Sequence, residues 1–237
     1  STLNYVFDWS VFLKGVGGKE TYLTWLMSAW QWTLIVAVLG FIVAFVLGFV
    51  MGVFRTTGNK YLVLLGNAWT ELFRNIPLLV QLFLWYFVVP ELFPIAKAMP
   101  SFMLVVMALG LFTSSRISEQ VKAGINAIPT GQRYAALALG LTTIQMYRYV
   151  LLPVAFRVIL PPLTSEAMNI IKNSSVAFAI GIAEMTMFAM QAQEETSRGI
   201  EIYLVVTGLY FLSAIIVNIL SNALEKAIQI PNFVGAK

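Results

Sequence analysis

From Thr21 to Phe54 the chain carries no Asp, Glu, Lys or Arg, and apolar residues occupy all sides of any helix drawn through it. A helix needs about 20 such residues to cross the hydrocarbon core of a bilayer, so this stretch predicts a membrane span, centred on Trp30 to Phe54. Further apolar runs predict spans at about Tyr61 to Pro90, with an interruption, at Ser101 to Ser115 and at Ile202 to Ala223. A fifth, at about Leu163 to Ile182, is harder to see because Arg157, Glu166, Lys172 and Glu184 break the apolar pattern around it. The fold class expected is an all-α membrane protein of about five transmembrane helices. Its parts are an outer N-terminal segment 1–20, a membrane domain 21–226 containing a loop at about 128–153, and a tail 227–237.

Lys and Arg in short loops set the orientation. With the N-terminus outside, the inner segments hold Arg55, Lys60, Arg116, Lys122, Arg133, Arg148, Lys226 and Lys237. The outer ones hold only Lys14, Lys19, Lys97 and Arg198, with Arg74, Arg157 and Lys172 left aside. Five crossings then place the C-terminus in the cytoplasm. The first residues show no basic leader followed by a short apolar region and a small-residue cleavage site, so insertion is expected to rely on the first span. The stretch Pro90 to Pro100 is bounded by prolines and reads as an outer loop.

Composition narrows the chemistry. With 59% hydrophobic and 11% charged residues and a mean hydropathy of +0.82, the chain is far more apolar than a soluble domain. It has no cysteine and no histidine, which removes thiolate nucleophiles, sulfur metal sites and the commonest general base. The net charge of +4 is spread singly along the chain, forms no basic stripe, and does not point to nucleic acid. Gly15 to Glu20 resembles a phosphate loop only faintly, because that motif needs a glycine where Leu13 stands and a hydroxyl where Glu20 stands. Lys172 with Ser175 would make a Ser/Lys pair at i and i+3, but no oxyanion-hole signature accompanies it.

Within the first span, Gly40, Ala44, Gly48 and Gly52 recur every fourth residue and put small side chains along one face, the arrangement that lets helix backbones approach closely in lipid. Two polar clusters interrupt the apolar pattern. Glu71, Arg74 and Gln81 surround Pro77, and Glu166, Asn169 and Asn173 share a helix face with Lys172 beside it. Charge in mid-membrane costs about 2.5–3.5 kcal/mol on insertion scales, so such groups usually face a bundle interior or a polar route. Arg74, Gln81, Glu166, Asn169, Lys172 and Asn173 are therefore candidates for a solute path, Arg74 or Lys172 being the partner for a carboxylate. The alternatives are a local Glu71–Arg74 pair and a Lys172 that snorkels toward the interface.

Between Ile128 and Pro153, IPTGQRYAALALGLTTIQMYRYVLLP spells helix, turn, helix. Pro129 and Thr130 open the first helix and Gly140 falls where a helix C-cap needs positive φ. Thr142 and Gln145 fit a capping box that opens a second helix ending at Leu152. Each is about ten residues and carries an arginine, so neither is expected to span. Alanines at 135, 136 and 138 smooth the first helix, and Tyr134, Tyr147 and Tyr149 offer aromatic anchors. The pattern suits either docking into a partner's cleft or rest on lipid headgroups.

Ala135, Ala136, Gly140, Val150, Leu152 and Pro153 keep the spacing A-A-x3-G-x9-V-x-L-P, which resembles the EAA loop of ABC importer permeases. IPTGQ before it, ELFRNIPLLVQ and EAMNIIKNSS extend the resemblance over nearly the whole chain, to the polar amino acid permease family and its glutamate/aspartate importer subunits. Tyr134 stands where the motif has glutamate, Val150 where it has isoleucine, Ser165 where asparagine is frequent and Asn173 where aspartate is common. The resemblance implies an ABC importer permease fold of the cell inner membrane, with Tyr134, Ala135, Ala136, Gly140, Val150, Leu152 and Pro153 coupling to an ATPase. It further implies a cytoplasmic ABC ATPase dimer that binds ATP and Mg, a second permease subunit, either a paralogue or an identical copy, and an external solute-binding protein. Besides these partners the chain would contact membrane lipid and no nucleic acid. It would hold no cofactor or metal and catalyse nothing itself. An ATP-independent transporter or channel, or a membrane scaffold, would share the apolar spans without needing this loop.

Overall fold

The computed structural model describes residues 4–18 and 20–228; Lys19 and Lys237, counted toward the charge balance, lie outside the described residues. Helix α1, Tyr22–Phe54, opens where the Thr21 hydroxyl accepts the Thr24 amide at 3.2 Å. Ahead of it lie a 3-10 turn at Trp9–Leu13 and a two-stranded ribbon pairing Gly15–Val16 with Glu20–Thr21. Helix α2, Lys60–Asn75, is capped by the Asn59 side chain. Pro77 adopts extended backbone, and α3, Leu78–Leu92, departs at 100° to α2. The long helices that follow are α4, Ser101–Asn126, then α5, Thr130–Ala138, and α6, Thr143–Ile180. The described chain ends with α7, Met185–Thr196, and α8, Gly199–Ile228.

Helices α1, α4, α6 and α8 are long and apolar enough to cross a membrane, and α2 with α3 adds a fifth crossing only as a bent pair. At the bend the Gln81 amide nitrogen donates to the carbonyls of Phe73 at 2.9 Å and Ile76 at 2.8 Å. Those acceptors face the gap left by the missing Pro77 donor, and unsatisfied backbone is expensive in lipid.

Glycines fix how closely the two central helices pack. A Cβ on Gly48 would lie 2.7 Å from the Ser114 carbonyl and from the Ile117 Cβ, and one on Gly52 would lie 2.6 Å from the Val121 Cβ. The small-residue stripe of α1 therefore seats α4. Serine and threonine hydroxyls then tie α2 to α4: Trp69 donates to Ser114 at 3.0 Å, and Thr70 and Ser118 share a hydrogen bond of 2.8 Å. The core forms three tiers along α1. Tyr22 and Leu26 meet Phe188 and Ile202 at one end, Val36 and Ala37 meet Leu109 and Ile170 in the middle, and Ala44 joins Ile117, Tyr147 and Ile159 at the other end.

Several boundaries differ from the expectation. Helix α1 begins at Tyr22, and α4 runs to Asn126, so Arg116 and Lys122 belong to a helix and not to a loop. The fourth span, expected at Leu163 to Ile182, falls within α6 up to Ile180, but the helix is longer than expected, a continuous stretch of 38 residues that starts at Thr143. The second loop helix therefore does not end at Leu152. Pro153 lacks an N–H for the ladder, and a π turn at Tyr147–Leu151 absorbs the defect without breaking the rod. Near Pro90 to Pro100 the chain is partly helical, with α3 reaching Leu92 and one turn at Pro94–Lys97. The tail boundary at 227 falls within the last turn of α8. Helix α7 was not expected; Glu184 starts it by accepting the amides of Thr186 at 2.8 Å and Met187 at 2.9 Å.

At the opposite end from the 128–153 loop, buried Glu201 accepts Tyr5 Oη at 2.6 Å and the Asp8 amide at 2.9 Å, which ties the N-terminal segment to α8. Gly48→Leu is expected to destabilise the bundle by about 1–3 kcal/mol through overpacking. A lower melting temperature of the detergent-purified chain would register it, while Gly58→Ala, with nothing within 4 Å of the added carbon, should leave the midpoint where it is.

Candidate functional site

The loop joining α4 to α6 is a rigid projection. Helix α5 ends with the Leu141 amide on the Ala136 carbonyl at 3.2 Å and the Gly140 amide on the Leu137 carbonyl at 3.0 Å. That closure puts Gly140 at φ +80, a conformation side chains disfavour. Two residues on, the capping box is complete, with Gln145 N on Thr142 Oγ1 at 3.3 Å and Thr142 N on Gln145 Oε1 at 2.9 Å. Helix, turn and helix start therefore form as the residue pattern predicts.

One side of the projection is glued to the bundle. Ala136 is buried, Val150 and Leu152 pack against the core, and Met146, Tyr147 and Leu151 are part of it. Tyr147 is thus no interface anchor. Its hydroxyl meets Thr56 Oγ1 at 2.9 Å, and the Arg133 guanidinium sits 5.6 Å from its ring centroid while Nη1 reaches the Thr56 carbonyl at 3.5 Å. These contacts bind the projection to the end of α1. The other side is bare: Tyr134 is 70% exposed, Leu139 82% and Ile144 80%. Leu137 is exposed too, with Ala135 and Gly140 beside it. Pro153 is exposed at the start of the rod.

The second candidate region lies further along α6. Glu166 is buried and receives Arg116 Nε on both oxygens, at 3.1 and 3.0 Å, and Gln120 Nε2 at 3.0 Å. Arg116 is about half exposed, 49% of its side chain, and its terminal nitrogens make no hydrogen bond among the described residues. Asn169 and Asn173 are half-buried and Lys172 is exposed, and none of the three has a side-chain hydrogen bond or ion pair among the described residues. The polar groups therefore run from buried Glu166, with half-exposed Arg116 at its edge, to half-buried Asn169 and Asn173 and exposed Lys172.

Arg74 and Gln81 are elsewhere engaged. Arg74 Nη1 lies 3.8 Å from Glu71 and 3.6 Å from Glu119, and Glu119 also holds Arg55 at 2.8 Å. The local Glu71–Arg74 pair is thus present and belongs to a network at the junction of α1, α2 and α4. Gln81 is buried with its nitrogen spent on the α2–α3 bend. The residue the sequence reading missed is Arg116, which was counted as a loop charge. Its signal was Gln120 one turn later, in a helix already rich in serine. Among the described residues no group of three or more Asp and Glu side chains could hold a metal ion.

Over residues 44–230 the chain matches the family described as binding-protein-dependent transport system inner membrane component. The chain belongs to this family. It is 41% identical to the glutamate/aspartate import permease protein GltJ of Escherichia coli (strain K12), an alignment covering 97% of this chain and 98% of the relative. It is 32% identical to a probable glutamine ABC transporter permease protein, GlnM, of Bacillus subtilis, over 86% of this chain and 93% of the relative. Among solved structures, an amino acid ABC transporter crystallised with histidines superposes with a TM-score of 0.76 at 30% identity, over 87% of this chain and 95% of that one. The MetNI methionine ABC transporter, at 20% identity and a TM-score of 0.73, shares the fold. The permease is an inner membrane component of an amino acid ABC importer, a transport subunit and not an enzyme. Membership sets aside the ATP-independent transporter and the scaffold.

Arg116→Met strands the buried Glu166 carboxylate, and a loss of about 1–3 kcal/mol or more is expected. Thermal unfolding in detergent should show most of it recovered in the double variant Arg116→Met with Glu166→Met, because both polar partners are then removed together.

Proposed function

We propose that the permease imports an acidic amino acid, glutamate or aspartate, that its 128–153 loop is the ATPase plug, and that the polar face of α6 is its solute path. The observation that carries the plug is the pairing of a bare apolar cap, Tyr134, Leu137, Leu139 and Ile144, with a base locked to α1 through Thr56, Arg133 and Tyr147. A cap this apolar on a rigid base suits a protein cleft, and aromatic and aliphatic anchors of this kind dominate interface energetics. In this reading the loop faces the cytoplasm, with the N-terminus outside and the C-terminus inside. A pair of ABC ATPase subunits binds ATP and Mg and grips the plug, an external binding protein delivers solute at the other end, and a second permease subunit, paralogous or identical, completes the path.

The continuity of α6 supplies the transmission. Its first turn lies in the plug and its polar face begins at Glu166, so a displacement of the plug moves both ends of one rod. The tie to Thr56 carries α1 along, and α4 follows because Gly48 and Gly52 seat it. ATP-driven closure then shifts the balance between two packings, opening the path on one side and shutting it on the other.

Two cations favour an acidic solute: the exposed ammonium of Lys172 and the open end of the Arg116 guanidinium, which is already oriented by Glu166. An amino acid with two carboxylates can use both, and Asn169 and Asn173 add neutral hydrogen-bonding groups along the same face. The name of the 41% identical relative supports this, while relatives named for glutamine and arginine make it a reading to be tested.

Two measurements test it. Co-expressed candidate ATPases should come down with the wild-type chain and be lost with Gly140→Asp, where an added side chain meets φ +80; equal recovery with the variant would refute the plug. In membrane vesicles carrying the whole importer, Lys172→Met should raise the KM for glutamate by roughly tenfold or more, the loss of one charge-assisted contact. An unchanged KM would remove Lys172 from the path.

A further inference from the structure

The side of the bundle formed by α1, α6 and α8 carries a long open groove. One crevice, of about 240 Å³, is lined by Ala37 and Phe41 of α1, Ala167 and Ile171 of α6 and Val217 of α8. A second, of about 260 Å³, shares Phe41 and Ala167 and continues past Phe45, Leu160 and Leu224. A third, of about 180 Å³, begins at that same Leu160 and is lined by Arg157, Glu225 and Ile228. Through these shared residues the three form one channel, apolar along its length and charged at one end.

Its length and its charged end both match one leaflet of a bilayer. From Leu34 to Phe45 the groove follows α1 for roughly 16 Å at the rise of an α-helix. Half of the hydrocarbon core is about 15 Å. On α8 no Asp, Glu, Lys or Arg occurs between Glu201 and Glu225, so Glu225 marks where hydrocarbon gives way to headgroups. Arg157 is exposed there and forms no ion pair with Glu225 or any other carboxylate among the described residues. A cation and an anion lining one crevice, each without an ion pair among the described residues, complement a phosphate followed by an ammonium.

We propose that this groove is a binding site for a phospholipid with an ethanolamine headgroup in the leaflet on the loop side. One acyl chain lies between α1, α6 and α8, Arg157 holds the phosphate and Glu225 holds the ammonium. The site joins the plug-bearing rod α6 to α1 and α8, so its occupant packs against the helices that the mechanism moves. The proposal goes beyond the transport reading and stands whatever solute is carried.

Native mass spectrometry of the whole importer, extracted in mild detergent and offered 16-carbon phosphatidylethanolamine and phosphatidylglycerol in equal amounts, tests it. The wild type should retain one phosphatidylethanolamine per permease chain in preference to phosphatidylglycerol. Arg157→Gln, at an exposed position, should lower retention by roughly tenfold. Glu225→Gln should keep a lipid but lose the preference for ethanolamine. Ala167→Trp, which fills the groove, should abolish binding; if that variant does not fold, Arg157→Gln decides alone. Equal retention by wild type and Arg157→Gln would overturn the site. So would a disulfide between two copies carrying Val38→Cys, because Val38 lines the groove and the chain has no other cysteine, and such a bond would mean that a second chain occupies it.

Discussion

The close approach of α1 to α4 at Gly48 and Gly52 sets the position of the other helices. In lipid there is no hydrophobic gain in bringing two apolar helices together, so association depends on packing contacts and interhelical hydrogen bonds. Removing two side chains brings the Ser114 carbonyl and Val121 onto the α1 backbone. Helix α4 can then serve as the post against which α2 is hydrogen-bonded through Ser114 and Ser118 and α6 is paired through Arg116.

Charge placement follows from that post. Arg55, Glu119 and Arg74 gather where α1, α2 and α4 meet, and Arg116, Gln120 and Glu166 gather where α4 meets α6. In both clusters the acid has a cation within reach, as an apolar surround demands, since an unpaired buried charge costs far more than a paired one. Between them α6 and α4 present polar groups without a partner among the described residues: Asn169, Lys172 and Asn173 on α6 and the outer half of the Arg116 guanidinium on α4. The first cluster is spent within the bundle, while the second leaves the outer half of the Arg116 guanidinium exposed beside the proposed solute path.

Local chemistry was legible in the sequence and long-range pairing was not. The cap at Thr142 and Gln145, the turn at Gly140 and the small stripe of α1 each depend on residues within one or two turns, and each formed as the pattern implies. The continuity of α6 was hidden because Pro153 reads locally as a stop, whereas the π turn before it is held by packing of Tyr147 and Leu151 in the core. The roles of Gln81 and Arg116 were hidden for a similar reason. Gln81 fills acceptors exposed by a 100° bend, and Arg116 finds a partner 50 residues away, neither of which a hydropathy pattern encodes.

The central claim is that the bare cap of α5 is the seat of the ATPase. Because the chain has no cysteine, single thiols can be placed at will and joined to neighbouring amines with a short thiol-to-amine crosslinker. Tyr134→Cys and Leu139→Cys, both on the cap, should capture the ATPase in membranes, while Leu64→Cys, exposed on α2, should not. Capture from Leu64 as strong as from the cap, or no capture from Tyr134 and Leu139, would contradict the account.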